Sequence, residues 1–306
     1  MPRIASLLAS ATEMVAALDL ADQLVGISHE CDHPPEVLDR PCLSRPFFDP
    51  AGLDSGAIDR AVRSAMAEHG AVYTIDASLL EELRPDVIFT QAVCDVCAVP
   101  TASVHQVVAD TGLDAHVVSL DAHTLAGILA TIVAVGEACG QLEEAERLAA
   151  GLGARIQAVR DRVRESAGER PRVLALEWLD PPFTPGHWVP EMIEVAGGVN
   201  LVGGPGERSR DARWEELEGL DPDVLVVMPC GFGLAAARED ADRARARLMA
   251  VAPRAIREGR AWVVDASSYF NRSGPRVVRG IEILAELLHG GEPDGVTAAR
   301  WPDPST

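Results

Sequence analysis

Polar, thiol and aromatic residues gather at a few places in this chain, and each place follows an apolar run that reads as a buried strand. Ser10-Ala11-Thr12-Glu13 follows the first run, Ser28-His29-Glu30-Cys31-Asp32-His33 the second, and Cys94-Asp95-Val96-Cys97 the run that begins at Val87. In the second half Glu177-Trp178, Cys230-Gly231-Phe232-Gly233 and Ser267-Ser268-Tyr269-Phe270-Asn271-Arg272 hold the same position, and a further loop carries Phe183, Gly186, His187 and Trp188. In open α/β sheets ligands bind beyond the carboxyl ends of the strands. The candidate ligand contacts are therefore Ser10, Thr12, Ser28, His29, Glu30, Trp178, His187, Trp188, Phe232, Tyr269, Phe270 and Arg272. Aromatic residues are only 4% of the chain, so their placement in these loops points to a large, partly apolar ligand.

The thiols pose a separate question. Cys94 and Cys97 form C-x-x-C, a spacing shared by zinc, iron–sulfur and redox sites. Cys31 and Cys230 would approach the same cleft from other strand ends, with His29, His33 and His187 nearby. Cys31, Cys94, Cys97 and Cys230 are thus the candidate metal ligands, for a tetrahedral Zn²⁺ or an iron–sulfur cluster; reduced thiols in a pocket wall are the alternative. Cys139, near the end of a helix, reads as a packing residue. Ser10 and Glu13 also fit a capping box, with Ser10 at the start of a helix. A metal-dependent enzyme would draw on His29, Glu30, Glu177 and His187 as acid and base. The chain has no G-x-S-x-G or P-loop motif, which counts against catalysis.

The elements that must position these loops are legible in outline. A chain of 306 residues, 47% of them hydrophobic, has room for two domains with their own cores. Strands are expected near Arg3–Leu7, Leu24–Ser28, Val72–Ile75, Val87–Gln91 and His116–Leu120, then near Val173–Trp178, Val224–Met228 and Ala261–Asp265. Helices alternate with them, which predicts parallel sheets. Two echoes indicate duplicated architecture. Leu80-Glu81-Glu82-Leu83-Arg84-Pro85-Asp86-Val87-Ile88 matches Leu217-Glu218-Gly219-Leu220-Asp221-Pro222-Asp223-Val224-Leu225, and Arg3-Ile4-Ala5-Ser6-Leu7 matches Arg172-Val173-Leu174-Ala175-Leu176. Between the halves, apolar stripes at Leu125, Ile128, Ile132, Val135 and at Leu148, Leu152, Ile156, Val159, Val163 predict two helices separated at Gly140. The second, over Leu142–Ser166, would span roughly 37 Å at 1.5 Å per residue. The predicted organisation is an N-terminal α/β lobe over 1–121, a helical linker over 122–168, a C-terminal α/β lobe over 169–291 and a loose tail over 292–306. The fold class is α/β, with two similar Rossmann-like lobes joined by a long helix and a ligand cleft between them.

Charge and hydropathy narrow the partners. The net charge of −20 disfavours nucleic acid and anionic membranes, because both reward basic clusters. No run reaches the roughly 18 apolar residues of a membrane helix. Near the start, Ser6, Ser10, Thr12 and Glu13 interrupt any signal-like apolar run, so a cytoplasmic location is expected, with reduced thiols.

Ser6-Leu7-Leu8-Ala9-Ser10-Ala11-Thr12-Glu13, Leu24-Val25-Gly26-Ile27-Ser28, the Pro85-Asp86-Val87-Ile88 strand and Ala196-Gly197-Gly198 together carry a family resemblance. Over roughly residues 3 to 290 the chain resembles the periplasmic-binding-protein-like family of vitamin B12- and iron-siderophore-binding proteins of ABC importers, and within it the cobalamin-binding branch. That resemblance implies two α/β lobes joined by one long helix, with little lobe motion, and binding rather than catalysis. It implies that Trp178, Trp188, Phe232, Tyr269 and Phe270 pack against a corrinoid. It also implies an ABC permease or a corrinoid-using enzyme as the receiving partner. The chain departs from the importers in lacking an export signal and in carrying the His/Cys loop and C-x-x-C. The function expected is cytoplasmic binding of cobalamin or a related corrinoid; the alternatives are a zinc or iron–sulfur carrier or sensor and a metal-dependent enzyme.

Overall fold

The computed structural model describes residues 1–93, 99–165, 168–292 and 294–302. The chain divides into two compact units. Unit 1 comprises Met1–Gly52, Arg60–Ala122 and Ala126–Leu152; unit 2 comprises Leu53–Asp59, His123–Leu125 and Gly153–Thr306. The division falls within the helix Leu142–Glu165, which runs unbroken through Gly151 and Gly153. Its apolar stripe buries Leu152, Ile156 and Val159.

Unit 1 is built on a four-stranded parallel sheet in the order Leu24–Ile27, Ile4–Ser6, Val87–Thr90, His116–Ser119. Ile4–Ser6 and Val87–Thr90 are buried along their whole length, as befits inner strands of a parallel sheet. Their pairing is set by a clamp at the amino ends. The Arg3 backbone N–H donates to Asp86 Oδ2 at 2.7 Å, the Asp86 N–H returns a bond to Arg3 O at 2.8 Å, and the Arg3 guanidinium donates to Leu83 O. This places Ile4 opposite Val87 and Ser6 opposite Phe89. The helix before the strand, Ala77–Leu83, starts at an Asp76 side chain that accepts from the Leu79 N–H and ends at Arg84 in the left-handed region, φ 43°.

Unit 2 repeats this construction. Its main sheet runs Val199–Asn200, Arg172–Leu176, Val224–Val227, Ala261–Val264 in parallel, with Ala298–Arg300 added antiparallel at the edge. The Arg172 N–H donates to Asp223 Oδ2 at 2.7 Å, the Asp223 N–H donates to Arg172 O at 2.8 Å, and the Arg172 guanidinium donates to Leu220 O and Asp221 O. Asp221 stands at φ 41°, as Arg84 does in unit 1. Burial works against the charge of Asp223, but the Arg172 N–H and the Arg254 guanidinium outweigh it and hold the carboxyl below its ordinary range. The core joins Leu174, Leu176, Leu225, Val227, Leu248 and Trp301.

Several expectations need correction. Tyr73–Ile75 forms an antiparallel ribbon with Ser44–Pro46 instead of joining the main sheet, whose edge at Ile27 is taken by Pro41–Leu43. The tail after Gly291 is not loose throughout: Ala298–Arg300 pairs with Ala261–Val264, and Trp301 is buried with its indole N–H on Asp242. The first strand of unit 2 ends at Leu176, and Trp178–Leu179 opens a second ribbon with Pro182–Thr184 and Arg210–Asp211. The capping box at Ser10 is not made. The strand turns into the helix Ala9–Ala17 so tightly that Leu8 takes the capping position, and Ser10 sits buried one residue inside.

The helix Val277–Leu288 closes unit 2 through a point of backbone contact at Gly280, where a Cβ would stand 2.1 Å from Tyr269 O. Gly280→Ala is therefore expected to destabilise the chain by about 1–3 kcal/mol, the usual cost of overpacking. Chemical denaturation of the two proteins measures it, and equal midpoints would show that the helix shifts freely.

Candidate functional site

In unit 1 the sheet's carboxyl end is lined by short polar side chains with hydrogen-bond partners nearby. Ser6, Thr12, Ser28, Ser44 and Thr90 are all buried. The Ser6 hydroxyl donates to Leu8 O at 2.9 Å, so the Thr12 hydroxyl donates to Ser6 Oγ at 2.8 Å. A hydroxyl has one proton to give, which leaves the Cys31 thiol to donate to Thr12 Oγ1 across 3.0 Å. In this chain of bonds Cys31 is a hydrogen-bonding thiol, and Thr12 faces inward. Ser28 caps its own loop: Oγ accepts from the Glu30 N–H at 3.0 Å and its carbonyl from the Cys31 N–H at 3.1 Å. That turn projects His29, whose Nδ1 lies 2.8 Å from Ser44 Oγ and whose Nε2 lies 3.3 Å from Glu30 Oε1. Ser44 Oγ also accepts from the His29 backbone N–H at 3.3 Å. The ring leans on Tyr73 at 4.7 Å between centroids.

The matching end of unit 2 is built from three loops tied by backbone bonds. The Cys230 N–H donates to Glu177 O, and the Ala266 and Ser267 N–H groups donate to Phe232 O. The Glu177 carboxylate is buried and accepts from the Ser209 hydroxyl at 2.5 Å. Trp178 and Phe232 are half-buried and meet edge to face at 5.2 Å, and the Trp178 indole N–H is held by Ser55 O at 3.2 Å. Ser55 in turn donates to Asp240 Oδ1, and burial raises the pKa of that carboxyl above its ordinary range. Tyr269 is half-buried beneath the Arg276 guanidinium, and Arg272 is half-buried beside it in sequence.

Not every expected contact is available to a ligand. Trp188 and Phe270 are buried, locked by the Trp188 indole N–H on Phe270 O at 2.7 Å, so these rings pack the interior of unit 2. Ser10 and Thr12 lie on the buried face of the first helix of unit 1. Cys94 and Cys97 lie outside the described residues. Among the described residues no group of three or more His, Cys, Asp or Glu side chains is placed to hold a metal ion. Cys139 is buried, and burial pushes its thiol up to about 11.

His123 and Ser209 escaped the sequence reading. His123 brings Nδ1 to 3.4 Å from Nδ1 of His187, which stands at φ 52°. The available signal was the run Leu120-Asp121-Ala122-His123 just past the last strand of unit 1. A cavity of about 460 Å³ was also unforeseen. It is lined by Arg160, Arg164, Arg170, Glu194 and Gly197, at the amino ends of the unit 2 strands, opposite to Glu177 and Cys230. Its position is the wrong end of an α/β sheet for the usual ligand site.

Both α/β units carry polar and aromatic loops at their strand ends, and comparison with known proteins gives the class. The periplasmic binding protein family model matches residues 4–261, and the chain belongs to that family. An ABC transporter substrate-binding lipoprotein of Bacillus subtilis (strain 168), itself uncharacterised, is 21% identical over 296 residues, covering 94% of this chain and 80% of the relative. The periplasmic vitamin B12 binding protein of Vibrio cholerae superposes with a TM-score of 0.67 at 20% identity, covering 94% of this chain and 96% of that one. A periplasmic heme binding protein from Pseudomonas aeruginosa superposes with a TM-score of 0.70 at 21% identity, covering 98% of both chains. All are binding proteins, and this chain is a binding protein rather than an enzyme.

The same relatives overturn the cytoplasmic location, since they are periplasmic proteins or a lipoprotein of an ABC transporter. Ile4–Ser6 is an inner strand of the unit 1 sheet, so the composition of the opening residues reports on burial and not on an address. The thiol state inferred from a cytoplasm falls with it; among the described residues Cys42, Cys139 and Cys230 are nonetheless unpaired by disulfides.

His187 carries a testable electrostatic signature. Burial, then the nearby His123 and Arg208, lower its pKa below the ordinary 6.5. Because the folded value is the lower one, the neutral ring costs nothing well above pH 6.5, and stability falls as pH drops below it. His187→Asn, which tolerates positive φ, is expected to flatten that acid slope in denaturation curves between about pH 7.5 and 5.5, one unit either side of the reference value. An unchanged slope would place the proton linkage elsewhere.

Proposed function

We propose that this chain is the solute-binding component of an ABC importer and that its solute is a corrinoid such as cobalamin. The observation that carries the reading is the Trp178–Phe232 pair, two half-buried rings at the carboxyl ends of adjacent strands, held in a fixed edge-to-face arrangement. Rings already immobilised before binding lose little entropy when a flat, apolar macrocycle packs on them. Tyr269 and Arg272, half-buried in the same unit, supply polar groups a corrinoid's amide rim requires. The receiving partner in this reading is an ABC permease. The vitamin B12 and heme specificities of the similar structures support a metal–macrocycle solute, and the nature of the rim distinguishes the two: amides for a corrinoid, carboxylates for heme.

Incubating the protein with cyanocobalamin and, in parallel, with hemin, followed by desalting, tests it. Corrin absorbance retained at about one equivalent, with quenching of Trp fluorescence, is expected. Phe232→Ala should weaken binding roughly tenfold, since about 1.4 kcal/mol of lost ring contact is a factor of ten. Retained heme with no corrin would reassign the solute, and retention of neither would overturn the macrocycle reading.

A further inference from the structure

The pairing of His123 with His187 is not used by any role assigned above to unit 2. Their Nδ1 atoms face each other at 3.4 Å, and the rings are tilted by 41° with centroids 5.5 Å apart. That separation is long for a hydrogen bond. It is the distance expected between two ligands on one tetrahedral ion: Zn–N bonds of about 2.0–2.1 Å at a tetrahedral angle place the nitrogens about 3.3–3.4 Å apart. A right-angled pair at similar bond lengths would bring them to about 3.0 Å.

We propose that His123 and His187 form a two-histidine site for a zinc-type divalent ion, bound through both Nδ1 atoms, with water or an exchangeable oxygen ligand completing the shell. The reading is independent of the corrinoid assignment and of the cysteines.

Both residues are held before any ion arrives. His187 sits in the left-handed region, φ 52°, a conformation rare for a side-chain-bearing residue, and two backbone bonds fix it there. Its N–H donates to Glu207 O at 2.6 Å and its carbonyl accepts from the Gly206 N–H at 2.9 Å. Trp188 backs the ring at 5.8 Å between centroids. The segment carrying His123 is pinned two residues on, where the Leu125 N–H donates to Glu191 Oε2 at 2.6 Å. Burial and the neighbouring His123 and Arg208 favour the neutral His187 ring, the form that binds metals. The protons balance without release: the single Nδ1 proton shared by the pair moves to Nε2 through solvent, leaving each ring neutral with Nδ1 free to donate its lone pair to the ion.

Titrating the full chain with Zn²⁺ and following imidazole nitrogens by long-range ¹H–¹⁵N NMR tests the site. Expected is a shift of Nδ1 of His123 and His187 alone among the histidines, saturating near one equivalent and reversed by EDTA. His123→Ala and His187→Asn should each weaken that event at least tenfold. Zinc uptake that leaves both Nδ1 resonances in place, or affinity unchanged in both variants, would overturn the proposal; the wild-type titration decides it even if a variant fails to fold.

Discussion

The arrangement in each unit depends on one clamp at the foot of its sheet. An arginine opens the first strand, its backbone exchanges two hydrogen bonds with an aspartate at the start of the neighbouring strand, and its guanidinium closes over the carbonyls that end the preceding helix. The residue before the proline must then turn left-handed, and both Arg84 and Asp221 do. One device thus stops a helix, satisfies its orphan carbonyls and sets strand register. A slip of one residue would exchange Ser6 and its bonded partner Thr12 for apolar side chains at the sheet's carboxyl end, and the polar network there would lose its base.

From that register the loops follow. In unit 1 a fixed Ser6 orders Thr12, and through it Cys31, so the polar strand end is an internal scaffold with His29 and Glu30 projecting from it. In unit 2 the Glu177, Cys230 and Phe232 loops are joined by backbone bonds, and the rings of Trp178 and Phe232 are presented as a rigid pair. A rigid, pre-arranged surface is suited to holding a solute and releasing it unchanged, in keeping with the membership of a binding-protein family.

Much of the fold was legible because burial leaves a periodic trace. The inner strands, the helix Leu142–Glu165 and the helix Val277–Leu288 all announce themselves as apolar runs or stripes. The echo around Pro85 and Pro222 was visible as sequence similarity, although the arginines that lock it carry no local signal of their partners. Tyr73–Ile75, Ala298–Arg300 and the burial of Trp301 were misread, because short strands at edges and ribbons depend on distant partners more than on their own residues. Among the candidate contacts, position past a strand end was readable but orientation was not. Trp178 and Trp188 look alike in sequence, yet one is half-buried beside Phe232 and the other is locked inside by Phe270 O.

What the sequence alone determined is therefore the class of architecture, the duplicated strand–helix punctuation and the loops in which chemistry collects, since these follow from hydrophobic period and from proline and glycine acting locally. Tertiary structure decided which side chains in those loops are free to meet a solute, that Cys31 spends its thiol proton on Thr12, and that His123 meets His187 64 residues along the chain. Such meetings are set by the packing of elements far apart in sequence, where no local periodicity records the partner.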